Sequence, residues 1–168
     1  MLHNEPKIRA QAAIAMGGNV GDVQRTFKRA LSRLDKHAEI TLLRRSDWIE
    51  TAAVGGPPGQ PDFVNGAIVV ETTLSPGALF EVLQGVETHF GRERSAEQHW
   101  GPRTLDLDLL LFGDQSMDEE HLTVPHARLA QRRFVLQPLE QVAPDWKVPG
   151  LGATVAELLR RLPAECSL

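Results

Sequence analysis

Asp106 and Asp108 alternate with leucines in the run Gly101-Pro102-Arg103-Thr104-Leu105-Asp106-Leu107-Asp108. The alternation from Thr104 to Phe112 predicts a strand with Leu105, Leu107, Leu109 and Leu111 on the core face and both carboxylates on the other. Residues two apart on one strand face lie about 6.5–7 Å from each other. Carboxylates at that spacing suit two magnesium ions about 3.5–4 Å apart, because magnesium takes few protein ligands and keeps water or phosphate oxygens in its remaining positions. Aspartate is disfavoured in strands, and two facing one way repel each other unless a cation intervenes. Taken alone, the pair also fits the solvent side of a half-exposed strand.

The flanking residues add charge. Arg92, Arg94 and Arg103 bracket the polar stretch before the acidic strand, where guanidinium groups could clamp phosphates bidentately. By themselves they also fit a solvated cationic loop. His126 follows Val124-Pro125 and is an isolated histidine, as compatible with a structural role as with a chemical one. Gly17-Gly18-Asn19-Val20-Gly21-Asp22 stands where a strand hands over to a helix, a position that can bind phosphate. It is no dinucleotide fingerprint, since Met16 occupies the first glycine's place, and the chain has no Walker A sequence. A plain tight turn is the simpler reading.

The elements that must position these residues follow from periodicity and caps. Ala10 to Met16 reads as a buried strand, and Asp22 as the N-cap of a helix carrying Phe27, Ala30, Leu31 and Leu34. Ile40 to Glu50 reads as a second strand, residues 53–61 as a proline-glycine loop and Phe63 to Thr72 as a third strand. Ser75-Pro76 opens a helix with Leu79, Phe80, Leu83, Val86 and Phe90 on one face, closed by Gly91. Shorter helices are expected around 127–131 and 134–142, and Thr154 with Glu157 forms a capping box for a last helix to residue 162. The order is β-α-β-β-α-β, a split arrangement forming one sheet with both long helices on one face. A single α+β domain over residues 1–168 is expected, with a core at about 10–150 and the C-terminal helix at 154–162.

Composition narrows the function. The 168 residues are 42% hydrophobic and 24% charged, ordinary for a globular domain, and the net charge of −4 provides no global basic field for nucleic acid or acidic lipid. A lone cysteine, Cys166, excludes an intrachain disulfide framework and a cysteine-rich zinc site. No apolar stretch reaches membrane-spanning length. Lys7 and Arg9 precede a short Ala/Ile run that resembles a signal peptide, but the run contains Gln11 and ends in the glycine turn. The expectation is a cytoplasmic monomer without nucleic-acid or membrane partners.

Together these residues resemble a family. Gly101 to Asp108 is similar to the signature of the hydroxymethyl-dihydropterin pyrophosphokinases of folate biosynthesis. Met16 to Asp22 resembles that family's opening strand and turn, Gln60-Pro61-Asp62-Phe63-Val64-Asn65 its pterin-side segment, and Val124-Pro125-His126 through Arg132, Phe134 and Pro138 its C-terminal part. The resemblance runs from about residue 10 to 150. It implies a ferredoxin-like α+β sheet with C-terminal helical additions. It also implies transfer of the diphosphoryl group of ATP to the hydroxymethyl group of a reduced pterin, with release of AMP.

By position, the resemblance implies that Asp106 and Asp108 hold two magnesium ions and act with Arg92, Arg94 and Arg103 in catalysis. ATP would be bound by Gln84, Glu87, Arg92, Trp100, Arg103, His126 and Arg132. Phe63 and Phe134 would sandwich the pterin, with Asn65 reading its polar edge and the backbone near Thr51 and Val54 assisting. The stretch from Arg92 to Pro102, with only Ala96 and Trp100 to anchor it, is expected to close over magnesium-ATP. Phe63 stands where some members carry tyrosine, a residue this chain lacks, and Ala127 follows His126 where proline or an aromatic is common. A metal-dependent nucleotidyltransferase or nuclease would also use paired carboxylates but needs a basic track for its polymer. A non-catalytic ferredoxin-like binding module would need neither the aspartates nor the arginines.

Overall fold

The computed structural model describes residues 7–53, 55–92 and 101–164. Its central strand, β1 (Ala10–Gly18), lies antiparallel to both β4 (Phe63–Thr72) and β5 (Asp106–Phe112). On the far side of β4 runs β2 (Ile40–Arg45), also antiparallel to it, so β1 and β2 are parallel with β4 between them. The short β3 (Ile49–Thr51) pairs with the Phe63–Asn65 end of β4. The sheet has five strands in the order β2-β4-β1-β5 with β3 beside β4.

Two helices cover one face of this sheet. In α1 (Val23–Asp35) the Asp22 side chain accepts a hydrogen bond from the Arg25 N–H, and in α2 (Pro76–His89) Ser75 accepts from Ala78. Such caps contribute about 1 kcal/mol each by satisfying otherwise orphaned donors. Phe27, Ala30 and Leu34 of α1 and Leu79, Leu83 and Val86 of α2 form one core with Ala12, Ile14, Met16 and Leu107. The opposite face is covered by α3 (Arg133–Val142) and α4 (Val155–Arg161), whose Leu136, Leu139, Val155 and Leu158 pack against Ala13, Ala67 and Val69. Burial on both faces explains why β4 reads as a continuous apolar run rather than an alternating one.

Three local features depart from the sequence expectation. The β1–β5 register pairs Ala13 with Leu111 but Ile14 with Leu109, so a bulge at Leu110 interrupts the alternation. Leu105, Leu107 and Leu109 therefore share the first core as expected, whereas Leu111 joins Leu110 in the second. The strand expected over Ile40–Glu50 is broken at Ser46, whose N–H donates to Ala67 O at 2.9 Å while its Oγ accepts from Ala67 N at 2.9 Å. The break turns Trp48 inward, edge-on to Phe27 at 4.9 Å and against Gly66, where a Cβ would come within 2.3 Å of the indole. Around residue 130 a single 3-10 turn, Leu129–Gln131, stands in place of a helix. Two small hairpins, β6 (Met117–Glu119) with β7 (Leu122–Val124) and β8 (Lys147–Val148) with β9 (Ala153–Thr154), have strands too short to show periodicity. Among the described residues no helix is long and apolar enough to cross a membrane.

Candidate active site

The strand register sets the acidic pair. Asp106 lies opposite Gly17 and Asp108 opposite Ala15, while Gly17 lies opposite Asn65. Directly paired residues share a sheet face, so Asp106, Gly17 and Asn65 form a row across three strands, on the face that α3 covers further along. Phe63 is two residues from Asn65 on the same face and is half-buried. Asn65 Nδ2 donates to Thr51 Oγ1 at 2.7 Å, which orients the amide. With no side chain at Gly17, the floor between carboxylate and amide stays flat: a Cβ there would sit 3.5 Å from Asn65 Oδ1 and 3.8 Å from the Asp106 Cβ.

Two arginines converge on Asp106 from different elements. The chain turns through Gly91 (φ +88°) after α2, with the Arg92 N–H donating to Glu87 O at 3.1 Å, and this folds Arg92 back over the helix end. Its guanidinium then bridges the Glu87 carboxylate and Asp106 Oδ1, the latter at 2.5 Å. Arg92 and Glu87 side chains are 5% and 2% exposed. Arg103 Nη1 donates to the other oxygen, Asp106 Oδ2, at 3.1 Å. Glu87, expected near the nucleotide, is paired with Arg92: a carboxylate this buried needs a counter-charge, and Arg92 supplies it.

Arg103 is in turn held by the glycine turn. Asn19 and Val20 N–H groups donate to Arg103 O at 2.9 and 3.2 Å, and Asn19 Oδ1 accepts from Arg103 N at 2.9 Å. The same amide donates to Gln60 Oε1 at 3.2 Å and Pro61 O at 3.1 Å. Asn19, 4% exposed, therefore clips the end of β1, the 55–61 loop and the entry to β5 together. Sequence reasoning placed Asn19 in a turn without giving it this role. Its partners are 41 to 84 residues away, and no local pattern reports them.

His126 and Arg132 lie within the electrostatic reach of the acidic pair. The His126 N–H donates to Leu110 O at 2.9 Å, and Nδ1 accepts from the Arg128 N–H at 3.2 Å, which fixes the ring. Burial holds the His126 pKa below the ordinary histidine value, and Arg132 and Arg128 push the same way while Asp106 opposes them. Burial likewise lowers the Arg132 pKa, reinforced by Arg128 and opposed by Asp108 and Asp106, so Arg132 lies within the field of both aspartates. The Arg132 guanidinium sits 5.6 Å from the Phe134 ring centroid. Phe134, at the start of α3, is 40% exposed, unusual for a phenylalanine beside a core. Gln84 lies one helical turn before Glu87 and is half-buried. Val54, Arg94 and Trp100, and with them residues 93–100 of the stretch expected to close over the nucleotide, lie outside the described residues, as does Cys166.

Among the described residues no cluster of three or more His, Cys, Asp or Glu side chains could cage a metal. Magnesium needs no such cage, because one or two carboxylates and substrate phosphates suffice. Each Asp106 oxygen accepts from one arginine and retains a second lone pair, so the donor set fits a cation shared with phosphate.

Arginines from two elements meet on Asp106, an arrangement suited to neutralising phosphate groups brought beside it. Comparison with known proteins gives the family. The chain belongs to the 7,8-dihydro-6-hydroxymethylpterin-pyrophosphokinase family, whose profile matches residues 13–144. Three relatives carry the name 2-amino-4-hydroxy-6-hydroxymethyldihydropteridine pyrophosphokinase. That of Synechocystis is 40% identical over 151 residues, covering 90% of this chain and 75% of the relative. That of Pseudomonas aeruginosa is 40% identical over 152 residues, covering 90% and 91%. The Bacillus subtilis protein is 42% identical over 131 residues, covering 78% and 77%. Among solved structures, Plasmodium falciparum HPPK-DHPS with pteroate superposes with a TM-score of 0.70 at 14% identity, a likeness of fold. This chain is covered to 94% in that match and spans 43% of the longer protein.

Proposed function

We propose that the Asp106 cluster is where this pyrophosphokinase transfers the diphosphoryl group of ATP to the hydroxymethyl group of 6-hydroxymethyl-7,8-dihydropterin, releasing AMP in folate biosynthesis. The observation that carries the assignment is the convergence of Arg92 and Arg103 on the two oxygens of Asp106. Diphosphoryl transfer asks a protein mainly for positioning and charge neutralisation. Asp106 and Asp108 would hold two magnesium ions, which when bound would neutralise the polyphosphate. Arg103, Arg132 and His126 Nε2 face the nucleotide phosphates, with Gln84 nearby. Glu87 acts through Arg92, setting the guanidinium against Asp106. Arg94 and Trp100 join the nucleotide side by resemblance.

The pterin lies over the Gly17 floor, its ring between Phe63 and Phe134 and its polar edge on Asn65, with backbone near Thr51 and Val54 beside it. A flat ring needs two apolar faces and a few fixed polar groups, and these residues are of that kind. We read the antiparallel sheet, with α1 and α2 on one face, as a ferredoxin-like arrangement and the chain as one domain over residues 1–168, a reading supported by the split β-α-β order. The net charge of −4 speaks against nucleic-acid and membrane partners, and we read the protein as a cytoplasmic monomer. No observation favours the nuclease reading. Replacing Asp108 with Ala is expected to lower pterin-dependent AMP release by roughly a thousandfold, about 4 kcal/mol. If Asp108→Ala kept more than a tenth of wild-type turnover, the assignment of the acidic pair would be withdrawn.

A further inference from the structure

On the outer side of α1 and α2 lies a groove of about 620 Å³, lined by Arg29, Arg33, Lys36, Val82, Gly85 and Phe90 among others. The groove lies on the α1 and α2 side of the sheet and Asp106 on the other; only the C-terminal end of α2 reaches Asp106, through Glu87 and Arg92. The volume is that of a site for an organic ligand, typically about 300–1,000 Å³.

Its two walls differ in chemistry. On α1, Arg29, Arg33 and Lys36 recur at helical spacing on one side, in a chain whose net charge is −4. Among the described residues none of the three is paired with a carboxylate. Asp35, the acidic side chain at the end of α1, is engaged by the Leu42 N–H at 2.9 Å. His37 and His89 add imidazoles to the rim. On α2 the wall is apolar: Val82, Val86 and Phe90, with the Arg29 guanidinium 5.4 Å over the Phe90 ring.

Gly85 lies in the middle of α2, where glycine is about 1 kcal/mol less favourable than alanine. A Cβ at this position would meet nothing within 4 Å, so packing between the helices does not require its absence. What the missing side chain provides is depth, a stretch of bare backbone that a ligand can approach.

We propose that this groove is a second binding site for a nucleoside polyphosphate or a closely similar organic polyanion. The phosphate chain lies along Arg29, Arg33 and Lys36, and the ring rests on Val82, Gly85 and Phe90. The cations answer the charge of a polyphosphate as the apolar wall answers a ring, and neither wall alone calls for both.

The test is NMR titration of the full-length, isotopically labelled protein with ATP, together with equilibrium dialysis for stoichiometry. The expected result is two equivalents of ATP per chain, with a saturable set of amide shifts over residues 29–37, a segment that contributes nothing to the Asp106 site. Arg29→Gln/Arg33→Gln and, separately, Gly85→Leu are expected to abolish that set and remove one equivalent while leaving shifts around Asp106 unchanged. Inorganic triphosphate is expected to bind the groove at least about tenfold more weakly than ATP, the difference being the ring contact. A single equivalent that leaves residues 29–37 unshifted, or groove shifts that never saturate, would overturn the proposal, as would triphosphate binding as tightly as ATP. The shift map keeps this outcome apart from the active-site assignment: loss of the Asp106 set would count against that reading and leave the groove's own result standing.

Discussion

Asp106 is the end of a chain of charges: Glu87 holds Arg92, and Arg92 with Arg103 holds Asp106. Removing one member of a buried pair leaves its partner uncompensated, which typically costs about 3–5 kcal/mol. Glu87→Ala is therefore expected to lower stability to urea by at least about 3 kcal/mol and to depress turnover through a displaced Arg92. A loss below about 1 kcal/mol would show that Arg92 needs no such anchor. His126 makes a prediction in pH. Burial lowers its folded pKa below the unfolded value near 6.5, so the unfolded chain binds the proton more readily. Its neutral ring costs nothing above that pH, and the folded state loses stability as pH falls through about 6.5 toward the lowered value. The difference in stability between wild type and His126→Gln should narrow or reverse between pH 7 and 5. A constant difference across that window would mean that the imidazole is as free to protonate as in the unfolded chain. The aspartates and Arg103 were legible because they sit in one short run. The Glu87–Arg92 bridge was not, since it depends on the chain reversing at Gly91.

At the scale of elements, the sequence announced α1, α2 and α4 through Asp22, Ser75 and Thr154, each of which caps its helix as expected. Bulges and breaks carried no such mark. The Leu109–Leu110–Leu111 run reads the same with or without a bulge, and only burial on both faces decides which leucine faces which core. The glycine turn shows how an element fixes a site from a distance. A Cβ on Gly18 would stand 2.8 Å from Thr104 O, a backbone atom that moves only with the entry to β5. Gly18→Ala should therefore cost about 1–3 kcal/mol in stability and lower turnover as well, measured by denaturation and steady-state kinetics. Full stability and activity in that variant would mean that the Asn19 clip tolerates displacement. On α3, Phe134 is 40% exposed, so Phe134→Ala should spare folding. Pterin affinity is expected to fall by about 1–3 kcal/mol while an ATP analogue binds as before. Calorimetry showing both ligands weakened equally would return Phe134 to a purely structural role.

For the molecule as a whole, one sheet serves two purposes. The face under α1 and α2 is sealed by a continuous core from Ala12 to Leu107, whereas among the described residues the other face is sealed along the part beneath α3 and α4. Gly17, Asn65 and the acidic pair lie beyond that part, on the strands that the core holds. That both long helices share one face followed from the order of elements; that short C-terminal helices cover the second face did not, since their sequence does not say where they dock. The central claim is that the β- and γ-phosphoryl groups leave ATP together at this site. It is tested most directly by incubating the enzyme with reduced hydroxymethylpterin and ATP carrying radiophosphorus at the β or, separately, at the γ position, and following each label by chromatography. The account predicts both labels on the pterin, one AMP per pterin consumed, and no turnover without it. Release of ADP with a single labelled phosphoryl group on the product, or AMP formation that proceeds equally without pterin, would contradict it.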